Sequence, residues 1–207
     1  MTTFDKILDT CLGLSRELPD VVFIGGVAVY LHTLRRASAS IPLEASHDAD
    51  LAISFAGYDI LKDEAEITAT PRLAKHQMVV DNVEFDVYVE RLNRLVVPYD
   101  EIFAHKEVVG EINVACLEHL LVLKLEAFVK REHSSKGDKD RRDVVKIGLL
   151  LGRKVRKFLI RPYMHDELGS RLDDIARCAI FAELCENNAH VAKKLRETFK
   201  FFVSSVV

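Results

Sequence analysis

Cysteine is scarce and scattered in this chain. Cys11, Cys116, Cys178 and Cys185 form no CxxC pair, which argues against a zinc knuckle or disulfide frame and predicts reduced thiols, mostly in the core. No stretch approaches the roughly 18 uninterrupted apolar residues that span a bilayer, so a membrane partner is not expected. The start, Met1-Thr2-Thr3-Phe4-Asp5-Lys6, has neither a charged leader nor an apolar h-region, and the expected location is cytoplasmic. GxGxxG and GxxxxGK[ST] are both missing, which removes the Rossmann and P-loop readings. The histidines show no HExxH or other paired spacing, so none is assigned to a metal. What remains is a 207-residue chain, 49% hydrophobic and 29% charged, of ordinary globular make-up with ample material for a core.

Charge is distributed unevenly. Residues 1–123 carry 10 Lys and Arg against 20 Asp and Glu, whereas residues 124–161 carry 13 against 5. An acidic N-terminal part beside a basic strip suits a cation site facing a polyanion. A solvated helix face rich in Lys and Arg would give the same count.

Periodicity divides the chain. Helical spacing covers 3–18, a short β-branched strand covers 21–24, and a second helix runs from the glycines to Arg35-Arg36, where cations suit the helix dipole. Residues 37–46 read as a loop of small residues, 48–54 as a strand and 58–65 as a helix. Residues 76–90 give the clearest β signal, two strands flanking Asp81-Asn82, a two-residue hairpin turn. In the second strand Val83, Phe85, Val87 and Val89 face one side and Glu84, Asp86, Tyr88 and Glu90 the other. From about 117 the chain reads as helices at 117–132, 138–151, 165–187 and 189–202, with Ser134 to Asp140 a loop. The expected fold class is α/β (α+β): a mixed sheet with flanking helices over 1–115, packed on a helical half, 116–207, that completes an active-site cleft.

Three pieces carry chemistry. Gly25-Gly26 closes the apolar run Val21-Val22-Phe23-Ile24. Such a turn lets backbone amides approach phosphate with no Cβ in the way, at the N-terminus of a helix. Asp48 and Asp50, at i and i+2 on a strand, project to one side, where both can bind hard cations. Asp86, on the polar face of another strand, is placed to join them in a two-metal arrangement. Each piece alone is a common turn or surface pattern. Their order and strand contexts favour a site for a nucleoside triphosphate and Mg²⁺ or Mn²⁺.

Gly25-Gly26, then Ser46-His47-Asp48-Ala49-Asp50-Leu51, then Phe85-Asp86-Val87 resembles the nucleotidyltransferase superfamily of DNA polymerase beta. Its signature is an hG[GS] turn, a DxD strand and a third acid. Leu117 to Leu125, with Lys139-Asp140-Arg141-Arg142-Asp143-Val144, is similar to the AbiEii-type branch, several members of which are toxins of toxin–antitoxin systems. The similarity covers about residues 21–150. The 22-residue step from Gly26 to Asp48 is longer than in compact members, and Ala49 is small where a bulky apolar residue is common. Neither departure removes a metal ligand.

The resemblance implies transfer of NMP from an NTP to an acceptor hydroxyl, with pyrophosphate released. It implies Asp48, Asp50 and Asp86 as metal ligands, and Gly25, Gly26, Ser46 and Lys124 against the nucleotide. Asp143 would position Lys124 or the acceptor. Read without the family, Lys124 sits in a helix that is apolar nearly all round, and it either snorkels, pairs with Glu118 or Asp143, or binds an anion. Asp140 and Asp143 read as helix-start acids, and Ser46 either bonds phosphate or turns the chain. The acceptor is open between RNA, with tRNA favoured by the toxin resemblance and the basic 130–161 region, and a protein or small molecule. An antitoxin protein would be the partner of a toxin. Competing readings are a metal-dependent nuclease using the same acids and a non-catalytic module that binds RNA or a partner protein.

Overall fold

The structure is a computed structural model that describes residues 3–36, 41–64, 67–70, 75–185 and 188–207. Residues 37–40 of the expected loop, the last residue of the helix expected at 58–65, the last two of that at 165–187, and Met1-Thr2 lie outside the described residues. Two units divide the chain, Met1–Leu31 with Glu44–Cys116 and His32–Leu43 with Leu117–Val207.

The first unit is built on a seven-stranded mixed sheet. Its strands are β1 (Val22–Phe23), β2 (Ala49–Ile53), β3 (Ile67–Thr70), β4 (Lys75–Val80), β5 (Val83–Val89), β6 (Glu107–Val109) and β7 (Ile112–Val114). They run in the order β3-β4-β5-β2-β1-β7-β6. The pairs β2–β5 and β1–β7 are parallel and the others antiparallel. Asp81 and Asn82 both adopt left-handed φ, 51° and 63°, the conformation a two-residue hairpin turn demands. That turn fixes the β4–β5 register from Val80↔Val83 outward. Gly110 and Glu111 repeat the device between β6 and β7, with φ of 56° and 67°.

Helix α1 (Thr3–Glu17) packs on this sheet. It buries Ile7, Cys11 and Leu14, and its Ser15 Oγ accepts a hydrogen bond from the Asn113 amide. Burial pushes the Cys11 thiol up to about 12, so it stays protonated and inert at neutral pH. All four cysteines are free thiols, Cys11 and Cys116 buried and the other two half-buried. Helix α2 spans Gly26–Arg36, α3 Phe55–Glu64 and α4 Tyr99–Ala104. The strands β3, β6 and β7 and helix α4 carry too little alternation or length to be read from sequence.

The second unit is helical: α5 (Leu117–Arg131), α6 (Ser135–Leu151), α7 (Asp166–Arg177), α8 (Ile180–Leu184) and α9 (Ala189–Val206), with three short 3-10 turns between α6 and α7. Two expectations are corrected here. Ser134 to Asp140 is not a loop: Ser134 caps α6, its hydroxyl accepting from the Gly137 amide at 3.1 Å. Gly137 also lies so close to the α5 end that a Cβ would sit 2.2 Å from the Arg131 carbonyl oxygen, which permits a very short connection. The helix expected over 165–187 is two helices, broken around Cys178, which leaves α7 in extended conformation. Gly148 gives α9 its seat, since a Cβ there would meet the Phe199 ring at 2.5 Å.

Glu118, in the first turn of α5, is buried and takes three hydrogen bonds from Arg156: backbone N–H at 3.1 Å, Nε at 3.0 Å and Nη2 at 2.7 Å. Burial pushes its carboxyl up, but these bonds outweigh it and hold the group below its ordinary value. A depressed folded pKa adds stability that is fully present above the unfolded value, about 4.5, and lost as pH falls through the folded one. Glu118→Gln is therefore expected to flatten the decline of Tm below about pH 4.5, checked by melting both proteins from pH 7 to pH 3.

Candidate active site

The first unit assembles its polar cluster at one end of the central strands. Beyond β1, the Ile24 amide donates to the Asp50 carbonyl at 3.0 Å, which carries the β1–β2 pairing up to the glycines. Gly25 then passes directly over the Asp50 side chain. A Cβ at Gly25 would lie 1.8 Å from Asp50 Oδ2 and 2.7 Å from its Cβ, inside any allowed contact, so only glycine fits. Helix α2 starts at the next residue, with the Val29 amide turned back to the Gly25 carbonyl at 3.3 Å. The requirement is one of space, which the sequence pattern alone could not distinguish from a positive-φ turn.

Asp50 of β2 stands in register with Asp86 of β5. In-register residues on neighbouring parallel strands share a face, so the structure brings these two acids side by side. Asp48 lies in the bend just before β2, and the Ser46 hydroxyl donates to its Oδ1 at 3.2 Å. Ser46 thus braces an acid of the DxD segment. The three acids are half-buried and Ser46 is buried. Asp86 Oδ2 accepts from the Lys75 ammonium, with both side chains nearly enclosed, 11% exposed for Lys75 and 13% for Asp86. Among the described residues no three His, Cys, Asp or Glu side chains converge closely enough to hold a metal ion between them. Like charges repel, and Asp86 has a cation in Lys75.

Sequence reasoning missed Lys75, although a signal existed. A two-residue turn at Asp81-Asn82 makes Gln77 the partner of Asp86. Lys75 follows two residues along, on the same face and diagonal to the acid.

In the second unit, Lys124 is buried and paired with two acids of α6. Its Nζ donates to Asp140 Oδ1 at 3.2 Å and lies 2.9 Å from Asp143 Oδ2. The second contact is electrostatic, because Asp143 Oδ2 lacks a well-directed donor. Arg131 adds Nε to Asp140 Oδ2 at 2.5 Å and Nη2 to Oδ1 at 3.1 Å, and Lys146 Nζ lies 3.9 Å from Asp143 Oδ1. Of the alternatives for Lys124, Glu118 drops out because Arg156 holds it. Asp140 and Asp143 are not helix-start acids. They sit in the second and third turns of α6, turned into the core, where only ion pairing makes a charge tolerable.

The mixed sheet of the first unit and the helices of the second make up a fold shared with solved nucleotidyltransferase-like proteins; Asp48, expected on the strand, stands instead in the bend before it. Among solved structures the chain is similar to an antigenic nucleotidyltransferase-like protein of Paracoccidioides brasiliensis, with a TM-score of 0.54 and 16% identity over 91% of this chain and 93% of that one. It is also similar to JHP933 of Helicobacter pylori, with a TM-score of 0.53 and 13% identity over 98% and 91%. At such identities the likeness is one of fold. No family model and no curated protein matches the sequence. No helix among the described residues is long and apolar enough to cross a membrane.

Gly25→Ala tests the close approach at the turn. The added methyl must displace Asp50 or the turn, and overpacking of this kind costs about 1–3 kcal/mol. The expected result is a protein that still folds, with a Tm lowered by several degrees. Melting curves of the two proteins, run side by side, check it.

Proposed function

We propose that this protein is a metal-dependent nucleotidyltransferase that moves NMP from a nucleoside triphosphate to a hydroxyl of RNA. The observation that carries the reading is the side-by-side placement of Asp50 and Asp86 with Gly25 packed on Asp50. In the reaction, the acceptor oxygen bonds to the α-phosphorus, the bond to the bridging oxygen breaks, and pyrophosphate leaves with that electron pair. The hydroxyl proton passes to a carboxylate or to water. The amides at Gly25 and Gly26, at the start of α2, are the phosphate-facing groups. Asp48, Asp50 and Asp86 supply hard oxygen donors of the type Mg²⁺ and Mn²⁺ require, with Lys75 holding Asp86. Bound there, such an ion would polarise the α-phosphate and offset charge on the leaving pyrophosphate.

The RNA acceptor is supported by the 3-10 region of the second unit. Arg153, Lys154, Lys157 and Arg161 are exposed along it, and Phe158 is 67% exposed. Leu159 and Ile160 are buried and anchor the segment. Arg153 lies over the half-exposed Phe201 ring, 4.9 Å from its centroid. Cations interleaved with solvent-facing aromatics suit a single strand, its phosphates neutralised and its bases stacked. Reversing Arg153, Lys157 and Arg161 to Glu is expected to weaken RNA binding and lower the salt slope by about 2, given roughly 0.7 per single-strand phosphate contact. Affinity measured across a salt series checks it. The AbiEii-like reading adds that expression arrests growth, that Asp48→Ala relieves the arrest and that an antitoxin partner neutralises it.

The deciding experiment incubates the protein with each α-labelled NTP, Mg²⁺ and total RNA, beside Asp48→Ala/Asp50→Ala. Label on an RNA band with the unmutated protein alone supports transfer, and the band and base name the substrates. RNA that shortens unlabelled, in an Asp-dependent way, replaces the proposal with the nuclease. Absence of both removes RNA as substrate.

A further inference from the structure

Strand register lays the site out as one line across the sheet. Gly25 rests on the Asp50 side chain, on the β1 side of β2. Asp50 pairs with Asp86, Asp86 with Gln77 of β4, and Gln77 with Thr68 of β3. Residues in register share a face, so these four side chains lie on the face over which the glycine turn passes. Lys75, two residues before Gln77 and so on the same face, holds Asp86. Gln77 and Thr68 are exposed.

Phosphoryl transfer gives this line a direction. Attacking and leaving oxygens stand on opposite sides of the phosphorus, roughly in line. With the triphosphate on the Gly25-Gly26 amides, pyrophosphate departs toward β1 and the acceptor enters from the side of β5 and β4. Asp86 and Gln77 are the paired side chains it meets there. Directly opposed side chains have Cβ atoms about 4.5–5.5 Å apart, close enough to engage adjacent hydroxyls of one sugar. The Gln77 amide can both donate to and accept from a hydroxyl. Thr68 continues this neutral hydrogen-bonding character on β3, which suits a sugar rather than a phosphate.

Resting on the RNA-transfer reading above, we propose that Gln77 selects the acceptor sugar: the 3′-hydroxyl of a terminal ribose attacks beside Asp86, and Gln77 bonds the neighbouring 2′-hydroxyl. Only the end of a strand offers two free adjacent hydroxyls. A deoxyribose end lacks the second, the group by which a protein tells RNA from DNA.

The test uses total RNA in two pools, extended at the 3′ ends by one adenosine in the first and one 2′-deoxyadenosine in the second, with α-labelled NTPs and Mg²⁺. The unmutated protein is expected to favour the ribose pool about tenfold in kcat/KM, the scale of one neutral hydrogen bond. Gln77→Met is expected to bring that ratio near one. Both pools meet the same preparation, so any loss of folded protein cancels in the ratio. Equal use of the pools by the unmutated protein, or an undiminished preference in Gln77→Met, overturns the role of Gln77 while transfer to RNA stands. Label on unextended RNA but on neither pool does the same. No label on unextended RNA overturns this proposal together with the reading beneath it.

Discussion

Under the proposed function, Asp50→Asn is expected to lower nucleotide transfer by about 10²–10³-fold, the scale for removing a group that stabilises transition-state charge. The substitution leaves shape nearly unchanged. Asp50 stands beside Asp86 through the β2–β5 register, and Tm is expected to move little while activity collapses, the pattern of a residue kept for function rather than for stability. Single-turnover transfer with labelled NTP and a melting curve, on one preparation, read both quantities. A drop in Tm parallel to the loss of activity would instead make Asp50 a structural residue that holds the turn at Gly25.

Lys124→Met is expected to act mainly on folding. Lys124 is enclosed between Asp140 and Asp143, all three nearly inaccessible. Breaking one member of a buried ion-pair network typically costs about 3–5 kcal/mol, because the remaining charges stay buried. Arg131 still covers Asp140, and Lys146 stands 3.9 Å from Asp143. The lower end of that range is the better expectation, and about 3 kcal/mol lowers Tm by roughly 6–12 °C in a chain of this size. Adding Asp143→Asn should return most of the lost stability, since it removes the stranded charge. A double-mutant cycle on Tm measures this directly. If Lys124→Met melts normally but loses nucleotide affinity, the lysine is held for an anion and the acids merely park it.

The hairpin was legible in the sequence because its information is local. Asp81-Asn82 fits a turn with two left-handed residues, and alternation from Val83 to Val89 names the buried face. Helices α1, α2, α5 and α9 were legible for the same reason, their apolar spacing repeating over three or more turns. The three-residue strands β6 and β7 were not, since so few residues show no period. The polar stretch from Ser134 misled because a capping serine followed by charged residues reads as loop until its helix is known. Asp140 and Asp143 misled similarly: an Asp near a helix start is usually a cap, and only the facing Lys124 reveals a buried pair.

The sequence by itself determined that a glycine turn follows the first strand and that Asp86 lies on the polar face of its strand. Both follow from backbone period and local sterics. Only the tertiary structure decided that β2 lies between β1 and β5. That order sets Asp50 beside Asp86 and lays Gly25 on Asp50. Strand order is a matter of contacts between residues far apart in the chain. It rests on how whole faces bury one another, and no local pattern encodes it.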